Sequence, residues 1–157
     1  MTATPRATRP RFGEYGIREE AEGILAWSWA VERLLSSRNF WISTAAEDGR
    51  PHAMPVWGVW VDEALWFGTA PSSRKGRNLV RDPRVVAHVE SGDEAVILEG
   101  EVERAADAFG PVADAFESKY DWRPRPEQGS LWFALRPRFA WAWLERDYGR
   151  SATRFDF

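Results

Sequence analysis

Short β-prone runs that alternate with tight-turn dipeptides fill most of the sequence between residues 40 and 104. The pair Asp48-Gly49 separates two such runs, and its glycine supplies the positive φ that a tight hairpin turn needs. Strands joined by such turns run antiparallel, so a doubly wound parallel sheet is not expected. The predicted strands are residues 40–46, 51–61, 64–69, 84–91, 95–104, 131–136 and 139–145.

Three further segments space their apolar residues as amphipathic helices do. In the first of them Ile24, Trp27 and Val31 share one stripe, and in the last Phe109 and Phe116 do. About seven strands and about three helices predict a mainly β (α+β) fold, a closed or partly closed antiparallel barrel with peripheral helices. The predicted helices are residues 19–37, 72–82 and 107–120.

Composition excludes several classes of function. The chain of 157 residues has no cysteine, so any redox chemistry must belong to a bound cofactor. A formal net charge of −3 gives no overall basic field to attract nucleic acid, and the longest apolar run, residues 53–61, is too short to span a membrane. Residues 1–18 are polar and lack an apolar signal segment. We expect them to form a disordered tail before a single domain, residues 19–157, in a cytoplasmic protein.

The usual catalytic motifs for a nucleophile, a metal-activated water or a phosphate-binding loop are missing from the sequence. Its two histidines, His52 and His88, lie on different predicted strands, and a structural or surface role is expected for each. The carboxylates Glu99 and Glu101 alternate as on a solvated strand face. We therefore predict no catalytic side chain and no metal ligand.

The strongest functional signal is a basic helix start at residues 72–79. Four basic residues and one acidic residue lie between Arg74 and Asp82, and two serines precede them. This pattern is typical of a solvated basic helix or of an anion site, and the strand that ends in Gly68-Thr69 directly before it favours the anion site. Strands rich in aromatic residues beside such a site suggest a ligand with a flat ring and an anionic tail, such as a flavin or a deazaflavin.

Apolar residues occupy both faces of two predicted strands, residues 40–46 and 54–61. The barrel interior buries one face, but three short helices cannot cover all of the outside. An uncovered apolar area can pair with its own copy, so we expect a homodimer.

Several short motifs occur together in an order known from one family. They are Asp48-Gly49-Arg50-Pro51-His52, Pro55-Val56-Trp57-Gly58-Val59-Trp60, Gly68-Thr69, Ser73-Arg74-Lys75, Asn78-Leu79 and Asp82-Pro83-Arg84-Val85, with a weaker likeness at Ser151-Ala152-Thr153-Arg154-Phe155. In these motifs the chain resembles the pyridoxamine 5′-phosphate oxidase-like split β-barrel superfamily, and more narrowly its flavin/deazaflavin oxidoreductase branch. The resemblance implies an antiparallel split β-barrel that dimerises with two cofactor sites at the interface.

The resemblance also implies which residues bind the cofactor. Arg74 and Lys75 match the pair that holds the cofactor phosphate, and Ser73 matches a neighbouring hydrogen-bonding position. Arg154 matches a residue that reaches the cofactor from the other subunit. The implied cofactor-binding residues are Met54, Pro55, Val56, Trp57, Gly68, Thr69, Ser73, Arg74, Lys75, Asn78 and Arg154.

One position differs from the vitamin-forming oxidases of the superfamily that the chain resembles. Met54 stands where those enzymes have an arginine that contacts the phosphate of FMN. The loss favours coenzyme F420, a deazaflavin whose phospholactyl-oligoglutamate tail would suit the additional Arg77 and Arg81.

The function predicted from these features is hydride transfer between F420 and a small hydrophobic conjugated substrate. Two alternatives stay open. One is an FMN-dependent oxidoreductase of the pyridoxamine-phosphate-oxidase type. The other is a non-catalytic carrier of a flavin, a deazaflavin or haem.

Overall fold

The computed structural model describes residues 4–106, 108 and 110–157. Antiparallel strands dominate the fold, and short helices lie around them. The α-helices are α1 (Trp27–Ser36), α2 (Arg74–Arg81), α3 (Gly110–Tyr120) and α4 (Tyr148–Ser151), with 3-10 turns at Pro126–Gln128 and Glu145–Asp147. The strands are β1 (Arg6–Thr8), β2 (Asn39–Ala45), β3 (Pro51–Trp57), β4 (Val59–Val61), β5 (Ala64–Thr69), β6 (Arg84–Val89), β7 (Glu94–Ala105), β8 (Leu131–Leu144) and β9 (Thr153–Asp156).

Strand pairing closes the sheet into a barrel, because one run of chain changes partners halfway. β3 pairs with β2, and β4, which follows it after a single residue, pairs with β5. β5 then pairs with β8, β8 with β7, β7 with β6, and β6 with β2. The ring is therefore closed by backbone hydrogen bonds everywhere except between β3 and β4. This confirms the predicted mainly β split barrel.

Gly58 is the residue at which the strand changes partners, and it is buried. A Cβ there would lie 3.0 Å from Phe40 and 3.1 Å from Leu65, so any side chain would force these buried neighbours to shift. Its peptide groups are satisfied by α3. The Gly58 N–H donates to the Tyr120 hydroxyl at 2.9 Å, and Lys119 Nζ donates to the Gly58 carbonyl at 3.0 Å. Helix α3 thus replaces the missing strand neighbour.

The Tyr120 hydroxyl has one proton and two carbonyls within reach. Its oxygen lies 2.8 Å from the Gly58 carbonyl and 2.7 Å from that of Arg38. Because Lys119 already donates to Gly58, the Tyr120 proton is free for Arg38. Burial raises the pKa of Tyr120 and lowers the pKa of Lys119 to about 8. The contact therefore ties α3 to the residue before β2 and to the junction between β3 and β4.

Two hydrophobic clusters fill the molecule. The larger one lies inside the barrel, where α1 adds Ala30 and Leu34 to side chains of the strands. Its largest fully buried members are Phe40, Phe67, Phe133, Phe155, Ile42, Leu65, Leu98 and Leu135. The second cluster lies between α3 and the outside of β5 and β8, and it contains Phe116, Tyr120 and Trp132. The larger cluster therefore holds the strands and α1 together, and the second cluster holds α3 against the sheet.

Several boundaries differ from the sequence prediction. Helix α1 begins at Trp27 rather than at residue 19, because Gly23 adopts φ +88° and the chain there is not helical. The two strands predicted at residues 131–136 and 139–145 form the single strand β8. Its Pro137 lies opposite Gly100, where the register of β7 shifts and the ladder tolerates a missing N–H. The predicted starting residues Asp107 and Phe109 of the third helix lie outside the described residues.

Both chain ends contribute strands that sequence patterns do not show. Arg6–Thr8 pairs with Thr153–Asp156, which in turn pairs with β8. The guanidinium of Arg9 donates to the backbone carbonyls of Glu20, Glu22 and Ala152 at 2.6–3.1 Å. The segment predicted as a tail, residues 1–18, therefore includes a strand of the sheet. Among the described residues, no helix is both long and apolar enough to cross a bilayer.

The Tyr120 contact predicts a measurable loss of stability. In Tyr120→Phe the ring stays, but the Gly58 N–H and the Arg38 carbonyl lose a partner, and an unsatisfied buried group costs about 1–3 kcal/mol. We expect the free energy of unfolding in urea to fall by that amount. Tyr15→Phe, at a side chain 70% exposed, is the control and should change it by less than about 0.5 kcal/mol. Equal effects of the two substitutions would contradict the role assigned to Tyr120.

Candidate functional site

Helix α2 starts on a network of hydroxyls. Ser73 is the N-cap, and its Oγ accepts a hydrogen bond from the Gly76 N–H at 2.9 Å. The same Oγ lies 2.9 Å from Thr69 Oγ1, which also accepts from Lys75 Nζ at 2.9 Å. The turn must be tight, since a Cβ on Gly76 would lie 2.7 Å from the Ala70 carbonyl. The end of β5 and the first turn of α2 are thus held as one unit.

Lys75 is a buried cation without a counter-charge. Its side chain is only 8% exposed, and no carboxylate lies within 4.0 Å of its Nζ in the part of the chain that the structure describes. Burial lowers its pKa from the usual lysine value. The N-terminus of α2 adds positive potential, and the exposed Arg74 adds a second cation. An anion bound here would supply the missing negative charge.

Asn78 anchors α2 to the barrel. It is buried, and its Nδ2 donates to Thr44 Oγ1 on β2 at 2.9 Å. Predicted from the resemblance as a cofactor-binding residue, Asn78 uses its amide N–H₂ to hold the helix against the sheet. This hydrogen bond fixes the helix that carries Arg74 and Lys75.

The first of two neighbouring cavities lies between α2 and the turn from β2 to β3, and we call it the basic cavity. Its volume is about 300 Å³. Arginines from both sides line it, while Glu47 is the one acidic residue among its lining residues. Arg50 is already paired with Asp48 at 2.7 Å, whereas Arg74 has no acidic partner among the described residues. The lining residues are Ala46, Glu47, Arg50, Pro51, His52, Arg74, Arg77, Asn78 and Arg81.

The second cavity, the aromatic cavity, has a volume of about 220 Å³. Its wall is a set of packed rings: Trp57 stacks on Tyr120 with centroids 4.6 Å apart, and Phe116 meets Trp132 edge-on at 5.3 Å. Gly68 makes room for the Trp132 indole, which a Cβ would approach to 3.0 Å. The lining residues are Val56, Trp57, Gly68, Thr69, Phe116, Trp122, Ser130 and Trp132.

Strand β3 and Thr69 connect the two cavities. β3 contributes His52 to the basic cavity and Val56 to the aromatic cavity, and four residues of extended strand span about 13 Å. Thr69 lines the aromatic cavity, and its hydroxyl binds Lys75. A ligand with a ring at one end and an anion at the other matches this arrangement.

Most residues predicted to bind a cofactor come together here. Val56, Trp57, Gly68 and Thr69 line the aromatic cavity, Arg74 and Asn78 line the basic cavity, and Ser73 and Lys75 lie at the start of α2. Met54 and Pro55 lie on β3 between the cavities, with Met54 47% exposed.

Arg154 is the exception. It lies on β9, where its guanidinium binds Asp156 at 2.7 Å and covers the Phe139 ring at 4.2 Å. Neither cavity includes it within one chain.

Sequence reasoning missed several residues of the site, above all His52. Its side chain is half-buried, and its pKa lies below the usual value because of desolvation and because of the positive charges of Arg74 and Lys75. The register of the β2–β3 hairpin could have identified His52, because it pairs this residue with Thr44 on the face that α2 covers. Phe116, Trp122 and Trp132 were also missed, since they reach the cavity from α3 and β8, far along the chain.

Comparison with known structures and families agrees with this fold. A conserved hypothetical protein from Mycobacterium tuberculosis is 24% identical, with a TM-score of 0.67 over 84% of this chain and 92% of its own. A protein described as an F420 reductase is 25% identical, with a TM-score of 0.56 over 68% of this chain and 91% of its own. The haem storage protein HutZ from Vibrio cholerae shares the fold at 16% identity, with a TM-score of 0.56 over 68% of this chain and 85% of its own.

No curated protein sequence matches the chain. Residues 29–144 do match the family described as pyridoxamine 5′-phosphate oxidase, and this segment contains every residue that lines the two cavities. The chain therefore belongs to the pyridoxamine 5′-phosphate oxidase family.

Proposed function

We propose that the protein is an oxidoreductase that transfers a hydride between the deazaflavin F420 and a small hydrophobic conjugated substrate. One observation carries the proposal: the buried, uncompensated Lys75 hydrogen-bonds to Thr69, a residue that lines the aromatic cavity. A cation site joined to a ring-lined cavity suits a cofactor with an anionic tail and a flat ring.

Different residues would bind the phosphate and the ring system of the cofactor. Arg74, Lys75 and the N–H groups at the start of α2 would hold the phosphate, since charge-assisted hydrogen bonds are strong where water is scarce. Trp57 and Trp132 would pack against the ring system and exclude water from it. When bound, the cofactor supplies the hydride chemistry, and the protein orients the ring and the substrate.

Two features support F420 over FMN. Met54 places a thioether where the vitamin-forming oxidases have an arginine, so one phosphate contact is missing. Arg77 and Arg81 line the basic cavity in addition to Arg74, which with the nearby Lys75 is more positive charge than one phosphate requires. The similarity to an F420 reductase supports the same choice.

The test of this function is turnover with purified protein. Reduced F420 and reduced FMN would each be mixed with a panel of enones and quinones, and the absorbance of the cofactor would be followed. We expect oxidation of F420 by at least one substrate. Tight binding of either cofactor without oxidation by any substrate would favour the carrier function instead.

A second prediction concerns the anion contacts. We expect Arg74→Ala and Lys75→Met each to weaken binding of F420 and FMN by about tenfold to a hundredfold, since a charge-assisted contact contributes about 1.5–3 kcal/mol. Binding of riboflavin, which lacks the phosphate, should stay unchanged in fluorescence titrations. Arg138→Ala, at a side chain 71% exposed on β8, is the control. Unchanged affinities in both site variants would place the phosphate elsewhere.

We also propose that the protein acts as a homodimer through the face formed by β2 and β3. β3 is an edge strand, and Trp41 and Pro55 lie opposite each other on the outer face. Trp41 is 38% exposed, an unusual degree for a tryptophan inside a regular sheet. A partner on this face could also bring its Arg154 to the site, as the family resemblance implies.

Trp41→Arg tests the interface. We expect it to convert the dimer to a monomer in size-exclusion chromatography with light scattering, because a charge would be buried without a partner. Leu35→Arg, at a side chain 55% exposed on α1, should leave the dimer intact. Dissociation by both substitutions, or by neither, would argue against this face.

A further inference from the structure

His52 lies where β3 meets the charged side of α2. It is paired with Thr44 across β2 and β3, so the two side chains share a face of the sheet. Thr44 accepts the hydrogen bond of Asn78, which fixes α2 over this face. The His52 imidazole therefore lines the basic cavity opposite the first turns of the helix.

Cations outnumber carboxylates around the imidazole. From α2 it faces Arg74 and Lys75, whose charges act on it directly. The turn between β2 and β3 adds Glu47 and an arginine, Arg50, that Asp48 already neutralises. The charged residues that surround His52 are Glu47, Arg50, Arg74, Lys75, Arg77 and Arg81.

In the free protein this environment keeps the imidazole neutral. Desolvation and the positive charges of Arg74 and Lys75 lower the pKa of His52, which favours the neutral imidazole. A phosphate in the cavity makes the local potential less positive. It neutralises the two cations, and its own negative charge favours the imidazolium.

We propose that His52 is a proton-linked ligand of the cofactor's anionic end, which takes up a proton as the phosphate enters the basic cavity and then donates a hydrogen bond to it. The inference rests on the proposed function and adds a residue that the family resemblance does not assign. Its consequence is that anion binding and proton uptake are coupled.

The sign of the pH dependence follows from this coupling. Because the bound state holds a proton that the free state lacks, affinity rises as pH falls from about 8 towards 6.5. Below that range the phosphate monoester of FMN takes up a proton of its own, near pH 6, and the two effects overlap. The affinity should therefore be measured between these two pH values.

Calorimetry of FMN and F420 binding tests the proposal. Titrations at pH 6.5 and pH 8, each in two buffers with different ionisation enthalpies, give the number of protons taken up. For the wild type we expect proton uptake at pH 6.5, and a Kd that falls by about three- to tenfold from pH 8 to pH 6.5. For His52→Gln, which keeps a hydrogen-bond donor but cannot titrate, the same change should be below about twofold.

The chain contains a matched control, because His88 is its other histidine. His88 lies on β6, and its Nδ1 is 2.7 Å from the Val89 carbonyl. His88→Gln should behave as the wild type does. Proton uptake that persists in His52→Gln, or that is missing from the wild type, would overturn the proposal.

Nuclear magnetic resonance separates this inference from the proposed function. With two histidines, the imidazole Hε1 signals are few, and the His88→Gln variant assigns them. Inorganic pyrophosphate should raise the titration midpoint of His52 and leave that of His88 unchanged. If FMN and F420 fail to bind while pyrophosphate still raises the midpoint, the cofactor assignment is wrong and the role of His52 stands. If pyrophosphate leaves the midpoint unchanged, the role of His52 is wrong.

Discussion

The change of strand partner at Gly58 determines how the barrel closes and where α3 and the two cavities lie. One continuous run of chain pairs with β2 before this residue and with β5 after it. The barrel can close only this way, and β3 is left without a hydrogen-bonded neighbour on its second edge. The peptide at the change of partner is held by Tyr120 and Lys119, so α3 must pack outside β4 and β5. The aromatic cavity forms between that helix and the free side of β3.

The basic cavity follows from the same geometry. Because β5 ends beside the free edge of β3, the helix that comes next starts over the exposed part of that strand. Thr69 and Ser73 bind each other across the junction, and Lys75 is buried by it. A buried ammonium without a carboxylate is costly in a stable protein, and its persistence at a cavity is characteristic of a binding site. A bound anion would offset this cost.

The sequence alone predicted much of this, and the failures have physical causes. Turn dipeptides and alternation predicted β5 at its observed bounds, and the serine cap predicted α2 to within two residues. Local patterns could not show that Leu131–Leu144 forms one strand, since the bulge at Arg138 beside Pro137 becomes visible only in the pairing with β7. The start of α1 was wrong because Gly23 breaks a pattern that side-chain spacing alone favours.

In the candidate site, too, local sequence patterns predicted some residues, and tertiary packing adds others. Residues close together in sequence, such as Ser73, Arg74 and Lys75, were predicted from their spacing and from the resemblance. Trp132 and His52 were not, because tertiary packing brings Trp132 beside Gly68, and register places His52 under α2. The lining of the aromatic cavity contains hydroxyls but no ionisable side chain, whereas four arginines line the neighbouring basic cavity. Under the proposed function, a substrate that occupied it beside the cofactor ring would be uncharged, which would argue against a phosphorylated vitamin as the substrate.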